Sequence, residues 1–222
     1  MNRMSQVLDC SHDSLLRLAE VIGRGELAVV PTDTVYGIVC DPCNDQAIAR
    51  LFAAKQRART KSIQVLLDSV EAIPALKLSL PSPLDILADR FLPGSFSPIC
   101  LVGEGCGLCT PRQESDCRTQ AVRVPDSDVC RSLLGMTGPL AASSANRSGN
   151  PSVRTVEEAR EQLGDSVACY LDGGPTPGSV ASTVVEADAG DPDGIRILRQ
   201  GVIDQAALRK VIREVAAEGG RA

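Results

Sequence analysis

Three polar stretches of this 222-residue chain carry side chains suited to binding anions and hydroxyl groups. The first is Pro31-Thr32-Asp33-Thr34-Val35-Tyr36-Gly37, directly after the apolar run Leu27-Ala28-Val29-Val30. Pro31 has no backbone donor and ends regular strand pairing, and Gly37 lets the backbone turn or approach a ligand closely. The hydroxyls and the carboxylate between them suit a small polar molecule. The second stretch lies between Asp45 and Asp68, where no acidic residue occurs but Arg50, Lys55, Arg57, Arg59 and Lys61 do. Cations at a helix end suit the macrodipole, which accounts for part of Lys55-Gln56-Arg57. Five uncompensated positive charges also suit a polyphosphate or another anion.

The third stretch, Ser143 through Ser152, follows the apolar run 139–142. That places it at the carboxyl end of a strand, where α/β sheets bind ligands, with neutral donors for phosphate or base edges. Arg123 stands inside Ala121-Val122-Arg123-Val124. A guanidinium there needs an anionic partner, either a structural carboxylate or a substrate carboxylate. Strand alternation puts it on the face opposite Val122 and Val124. Ser182-Thr183 opens a further strand and Arg199 follows another. There is no Walker A lysine loop and no Gly-x-Gly-x-x-Gly, and the single histidine, His12, lies outside every cluster. Many anion binders and no obvious nucleophile fit group transfer driven by positioning and electrostatics.

The elements that must position these groups alternate between helix and strand. Leu15, Leu18, Ala19 and Ile22 give a helix over 13–24 that Gly25 stops, and strand 27–30 follows. Ile38-Val39-Cys40 reads as a strand. Asn44 or Asp45 caps a helix with Ile48, Leu51 and Phe52 on its apolar face. Strand 63–67, helix 83–91 and strand 99–102 come next, then a Gly- and Cys-rich loop over 103–118. Strand 121–124, helix 127–134 and strand 139–142 lead to Thr155 and Glu158, a capping box opening a helix to Leu163. Strands near 167–171, 182–186 and 194–198 precede a closing helix at 204–217, with Leu208, Val211, Ile212 and Val215 as its stripe. This order predicts one α/β domain over 1–222 around a single mixed sheet.

Composition narrows the function classes. A hydrophobic content of 43% with 23% charged residues is ordinary for a soluble domain. Three Phe, two Tyr and no Trp weaken any reading based on stacking exposed bases, and a net charge of −5 argues against nonspecific nucleic-acid binding. Asp9, Asp13, Arg17 and Glu20 exclude an apolar leader in the first twenty residues, so a cytoplasmic location is expected. No run is apolar enough to span a bilayer. Nine cysteines include Cys40-x-x-Cys43 and Cys106-x-x-Cys109. The separation of these pairs far exceeds the roughly 12–20 residues of zinc modules, so free thiols and no structural zinc are expected.

Taken together, the polar clusters resemble the YrdC family, the threonylcarbamoyl-AMP synthases of tRNA modification, in its short single-domain form. The matching stretches are Pro31–Gly37, Lys55-Gln56-Arg57, Phe91-Leu92-Pro93-Gly94, Ala121–Pro125, Ser144–Ser152, Ser182-Thr183-Val184-Val185 and Leu198-Arg199-Gln200-Gly201, in family order over residues 12–203. The resemblance implies an open, twisted mixed sheet flanked by helices, with a concave basic cavity. It implies a reaction joining L-threonine, bicarbonate or CO2, and ATP into threonylcarbamoyl-AMP and pyrophosphate, with Mg²⁺ accompanying ATP. By motif, Thr34, Arg123 and Ser182 would contact threonine. Arg57, Lys61, Thr119, Ser144, Asn146, Ser152 and Arg199 would hold ATP, and Lys55 would act with Arg57 beside the phosphates.

The product would pass to a tRNA threonylcarbamoyl-transferase complex, with weak contact to tRNA or double-stranded RNA and none to a membrane. The chain departs from the family pattern at Ala58 and Ser143, where prolines are usual, at Leu66, a histidine in longer members, and at Ala181, often acidic. The alternative reading is a non-catalytic RNA-binding or ribosome-assembly module using the same cavity. Such paralogues would lose the Lys-x-Arg and Ser-Ala-Asn residues, and this chain keeps both. A piece of a carbamoyl-transfer maturation protein is a third reading.

Overall fold

The structure, a computed structural model, describes residues 5–114 and 116–219. In chain order it comprises β1 (Gln6–Leu8), α1 (His12–Gly23), β2 (Ala28–Val30), β3 (Gly37–Cys40), α2 (Asp45–Ala54), β4 (Gln64–Leu66), α3 (Ala72–Ala75), β5 (Leu78–Ser79) and α4 (Leu84–Phe91). There follow β6 (Phe96–Val102), β7 (Arg112–Gln113), β8 (Arg118–Arg123), α5 (Asp128–Thr137), β9 (Leu140–Ser144), α6 (Val156–Leu163), β10 (Cys169–Leu171), β11 (Thr183–Ala187), β12 (Ile195–Arg199) and α7 (Gln205–Gly219). The strands form one sheet in the order β1-β10-β2-β3-β9-β4-β8-β6-β11-β12, with β5 on β6 and β7 on β8. It is mixed: β1/β10, β10/β2, β4/β8 and β6/β11 are parallel and the other pairs antiparallel.

Strand alternation sorts the side chains into two apolar layers. Val29, Ile38, Cys40, Ala141 and Tyr170 meet Ile48, Leu51 and Phe52 of α2 and Val156, Ala159 and Leu163 of α6. Ala28, Val30, Val39, Leu140, Ala142 and Leu171 meet Leu15, Leu18 and Ile22 of α1 and Leu133 and Leu134 of α5. The caps follow the sequence pattern. Asn44 accepts from Gln46 and Ala47 N–H at 3.1 Å, and Thr155 accepts from Glu158 N–H at 3.3 Å. Gly25 adopts a left-handed φ of 74°, as a helix stop requires.

Several sequence expectations change. Strands β1 and β5 and the short helix α3 escape the periodic reading because two to four residues are too few to show a period. The stretch 103–118 is not all loop, since Arg112 and Gln113 pair with β8. Strand β6 begins at Phe96 rather than Ile99, with Pro98 inside it. Pairing with β11 ends at Pro98 and pairing with β8 begins at Ile99, so the proline falls where the strand changes partner. Only the first turns of α7 are packed: Leu208 is buried, but Val215 is exposed.

Candidate functional site

The layer formed by α1 and α5 covers only part of its sheet face. Beyond it lies a cavity of about 890 Å³ floored by Gly37, Leu66, Ile99, Ala121, Arg123, Ala142 and Val184, with Leu66 and Ala142 shared between floor and core. Val65, Cys100, Val122 and Val124 point the other way, into the apolar cluster over β5. The alternation that puts Arg123 opposite two valines therefore places it on the one stretch of this face without a helix. Arg57, Lys61, Arg112 and Arg199 ring the cavity, and among the described residues no Asp or Glu lines it.

Arg123 is only 3% exposed and its donors converge from three directions. Nε donates to Gly94 O at 2.8 Å, Nη1 to Thr34 Oγ1 at 2.9 Å, and Nη2 to Asp33 Oδ1 at 2.6 Å. Of the two partners open at the sequence level, the structure supplies the internal carboxylate. Asp33, 13% exposed, reaches in from a neighbouring hollow of about 700 Å³. These bonds use three of the five guanidinium N–H donors, and the other two have no partner among the described residues. Arg199 donates through Nε and Nη2 to Ser182 O, and through Nη2 to Ser182 Oγ at 3.1 Å. Gly201 makes this approach possible, because a Cβ there would stand 2.3 Å from Ala181 O. Burial, then the charges of Arg123 and Arg57, holds Arg199 below the usual arginine range.

The hydroxyls have fixed directions. Ser97 gives its proton to Gln64 Oε1 at 3.0 Å, so Ser182 must donate to Ser97 across their 2.8 Å contact. Thr32 likewise gives its proton to Val35 O at 2.6 Å, so Thr34 donates to Thr32. Ser182 and Thr34 are left as acceptors toward the cavity, suited to a ligand ammonium or hydroxyl. A cationic amine and an anionic group can thus be bound side by side.

Helix α2 ends in a Schellman turn: Arg57 N–H bonds Phe52 O at 2.9 Å and Gln56 N–H bonds Ala53 O at 3.0 Å, with Gln56 at a φ of 50°. This turn sends two neighbouring cations opposite ways. Arg57 enters the cavity, where Nη2 bonds Ser62 O at 3.0 Å and the buried Nε has no partner among the described residues. Lys55 turns inward, 1% exposed, and donates to Ser144 O and, at 2.5 Å, to Asn146 O. Burial, then Arg57, lowers its ammonium to about 8. Lys55 therefore anchors the β9–α6 loop and, among the described residues, is not part of the cavity lining where the sequence reading expects it.

Seven expected site residues line the cavity: Thr34, Arg57, Lys61, Arg123, Ser144, Ser182 and Arg199. Lys55, Thr119, Asn146 and Ser152 do not. Thr119 shares a strand face with Ala121 and Arg123 but lies out beside Arg112, its partner in register. Asn146 bonds Arg147 O and Asn150 O through Nδ2, and its buried Oδ1 has no partner among the described residues. The uncompensated basic run also shrinks. Arg59 pairs with Asp45 at 2.6 Å and Arg50 bonds Gly25 O, leaving Arg57 and Lys61 for the cavity. Sequence reading missed Gln64, Ser97 and Arg112 as site residues. Gln64 had a signal, a polar side chain inside an apolar strand, like Arg123.

Among the described residues no cluster of three or more His, Cys, Asp or Glu is arranged to hold a metal ion, and no helix is long and apolar enough to cross a membrane. None of the five aromatic side chains is exposed.

The family model Sua5_yciO_yrdC, described as telomere recombination, matches residues 20–201. The threonylcarbamoyl-AMP synthase of Pyrococcus abyssi is 32% identical, over 89% of this chain and 56% of its own length. A Mycobacterium leprae protein provisionally given the same activity is 35% identical over 98% of both chains. The crystal structure of P. abyssi Sua5 complexed with L-threonine superposes with a TM-score of 0.82 at 28% identity, over 94% of this chain and 61% of that one. E. coli YciO shares the fold, with a TM-score of 0.78 at 20% identity over 92% of this chain and 100% of that one. The chain thus spans about three fifths of the archaeal protein and nearly all of the mycobacterial one. With the match running through every strand that floors the cavity, the chain belongs to the Sua5/YciO/YrdC family.

Proposed function

We propose that the protein is a threonylcarbamoyl-AMP synthase, a nucleotidyltransferase that joins L-threonine, bicarbonate or CO2, and ATP and releases pyrophosphate. The observation that carries this reading is the convergence of Arg57, Arg123 and Arg199 in a cavity that no carboxylate lines among the described residues, beside two hydroxyls oriented as acceptors. Thr34 and Ser182 receive the amino and hydroxyl groups of threonine, and the two free N–H donors of Arg123 receive its carboxylate. Arg57, Lys61 and Arg199 take the phosphates, with Ser144 at their side.

Threonine's amine and CO2 give a carbamate, already an anion, which attacks the α-phosphate without a strong base. The side chains hold the two anions in line and neutralise the charge that grows on the departing pyrophosphate. Among the described residues no acidic side chain lines the cavity, so Mg²⁺ would enter with ATP rather than on a protein carboxylate, and would supply further charge neutralisation beside Arg57, Lys61 and Arg199. The product passes to a tRNA threonylcarbamoyl-transferase complex. Pyrophosphate release from ATP tests the reading: it should need both threonine and bicarbonate, and release independent of threonine would refute it.

A further inference from the structure

The two Cys-x-x-Cys motifs lie outside the cavity, and the fold re-pairs them. Cys40 ends β3 inside the layer under α2 and α6, and burial, then Asp41, pushes its thiol up to about 12. Cys43, three residues on, has left the strand and is exposed. Across from it runs the loop between β6 and β7. There Cys109 N–H bonds Pro42 O at 2.8 Å and Cys109 Sγ lies 3.3 Å from Cys43 O. These two contacts set the Cys109 side chain directly against the Cys43 peptide, the approach a disulfide requires, whose Cα atoms stand roughly 4.4–6.8 Å apart. Cys109 is exposed too, whereas Cys106 packs against the apolar cluster that contains Leu108.

We propose that Cys43 and Cys109 are a thiol pair that a hydroperoxide oxidises to a disulfide, tying the β3–α2 turn to the loop that leads into the cavity rim. The inference does not rest on the proposed synthase reaction. From Cys109 the loop continues to Thr110, whose hydroxyl bonds Gln120 Oε1 at 2.6 Å, and to Arg112, which lines the cavity and bonds Ser62 Oγ at 3.2 Å. The turn on the other side leads into α2, which ends at Lys55 and Arg57.

Burial, then Asp41, Cys109 and Cys106, raises the Cys43 thiol, so less of it is thiolate and a peroxide attacks it less readily. The Cys109 thiolate attacks the terminal oxygen of the hydroperoxide. The O–O bond breaks, and a sulfenic acid forms with release of water or an alcohol. The Cys43 sulfur then attacks the Cys109 sulfur, the S–S bond forms, and the sulfenic oxygen leaves as water. Two thiols are oxidised and one peroxide is reduced.

The whole protein is treated with a slight molar excess of hydrogen peroxide, alkylated, digested without reductant and mapped by mass spectrometry. A peptide joining Cys43 to Cys109, lighter by two hydrogens and released by dithiothreitol, is the expected result. It should persist in Cys106→Ser, vanish in Cys43→Ser and Cys109→Ser, and accompany a raised melting temperature of the oxidised wild type. Circular dichroism confirms that the serine variants fold. A bond from either residue to Cys106 or Cys117, a link between two chains, or Cys109 carried to sulfinic acid with Cys43 still alkylated overturns the proposal.

Discussion

Two arginine clusters in this molecule use the same side chain for opposite ends. Beside α7, Arg209 meets Asp191 through both terminal nitrogens at 2.7 and 2.9 Å and also reaches Asp193, which binds Arg213 at 2.8 Å. Two guanidiniums face two carboxylates. The hydrogen bonds push both arginines above, and both aspartates below, their usual ranges. Among the described residues, of Arg57, Arg123 and Arg199 at the cavity only Arg123 meets a carboxylate, Asp33, and the other bonds go to backbone oxygens of Ser62, Gly94 and Ser182 and to the hydroxyls of Thr34 and Ser182. Arg57 and Arg199 are held below the usual range by burial, and neighbouring cations depress Arg199 further. The first cluster is electrically complete and fastens a turn to a helix. The second carries more positive charge than its one carboxylate balances.

Arg123 belongs to both kinds, and cutting it should have the largest effect. Arg123→Met leaves Asp33 unpaired in a nearly buried place, at a cost of roughly 3–5 kcal/mol. Urea denaturation measures this, and adding Asp33→Asn should recover much of the loss without restoring threonine-dependent pyrophosphate release. A single variant as stable as the wild type would place Arg123 with the anion-awaiting group alone.

Lys55 sharpens the comparison, because it is buried among carbonyls with no carboxylate. Its ammonium titrates near 8 in the fold against 10.5 in the open chain, so the unfolded state binds its proton more tightly. Stability from this group therefore rises as pH climbs from about 8 toward 10.5, by roughly 2–3 kcal/mol, and is flat below that window. The difference in stability between wild type and Lys55→Met, followed by denaturation from pH 7 to 10, should show that slope. The variant should also bind ATP more weakly, since Ser144 O and Asn146 O lose the donor that holds their loop. Equal pH profiles would mean that Lys55 is solvated.

Arg57→Ala and Arg199→Ala should each weaken ATP binding by roughly 1.5–3 kcal/mol, the worth of a charge-assisted bond, while leaving the melting temperature unchanged or higher. Arg209→Ala should do the reverse: a lower melting temperature, most evident at low salt, with ATP titration by calorimetry unaltered. Unchanged ATP affinity in both cavity variants would erase the distinction between the clusters.

Much of this was legible in the sequence because periodicity reports packing. The alternation around Arg123 and the stripes of α1 and α2 correspond to layers in the fold. What was illegible depended on partners distant in sequence or on direction. The run from Arg50 to Lys61 looked uncompensated because Asp45, which takes Arg59, stands just before it. Asp33 read as a ligand contact, though it meets Arg123 ninety positions away. Lys55 and Arg57 read alike as helix-end cations, and only the handedness of one intervening residue separates their roles.

That residue gives the smallest effect and the finest test. Gln56 is exposed and sits at a φ of 50°, where a side chain costs roughly 1–2 kcal/mol and glycine nothing. Glycine also loses more freedom on folding, so Gln56→Gly should gain only a few tenths to about 1 kcal/mol. Because the turn is set by the bonds from Gln56 and Arg57 N–H to Ala53 and Phe52, ATP affinity should not move. A thermal melt and a titration of the same sample give both numbers. A destabilised Gln56→Gly would show that the glutamine side chain, rather than the backbone turn, keeps Lys55 in the interior and Arg57 in the cavity.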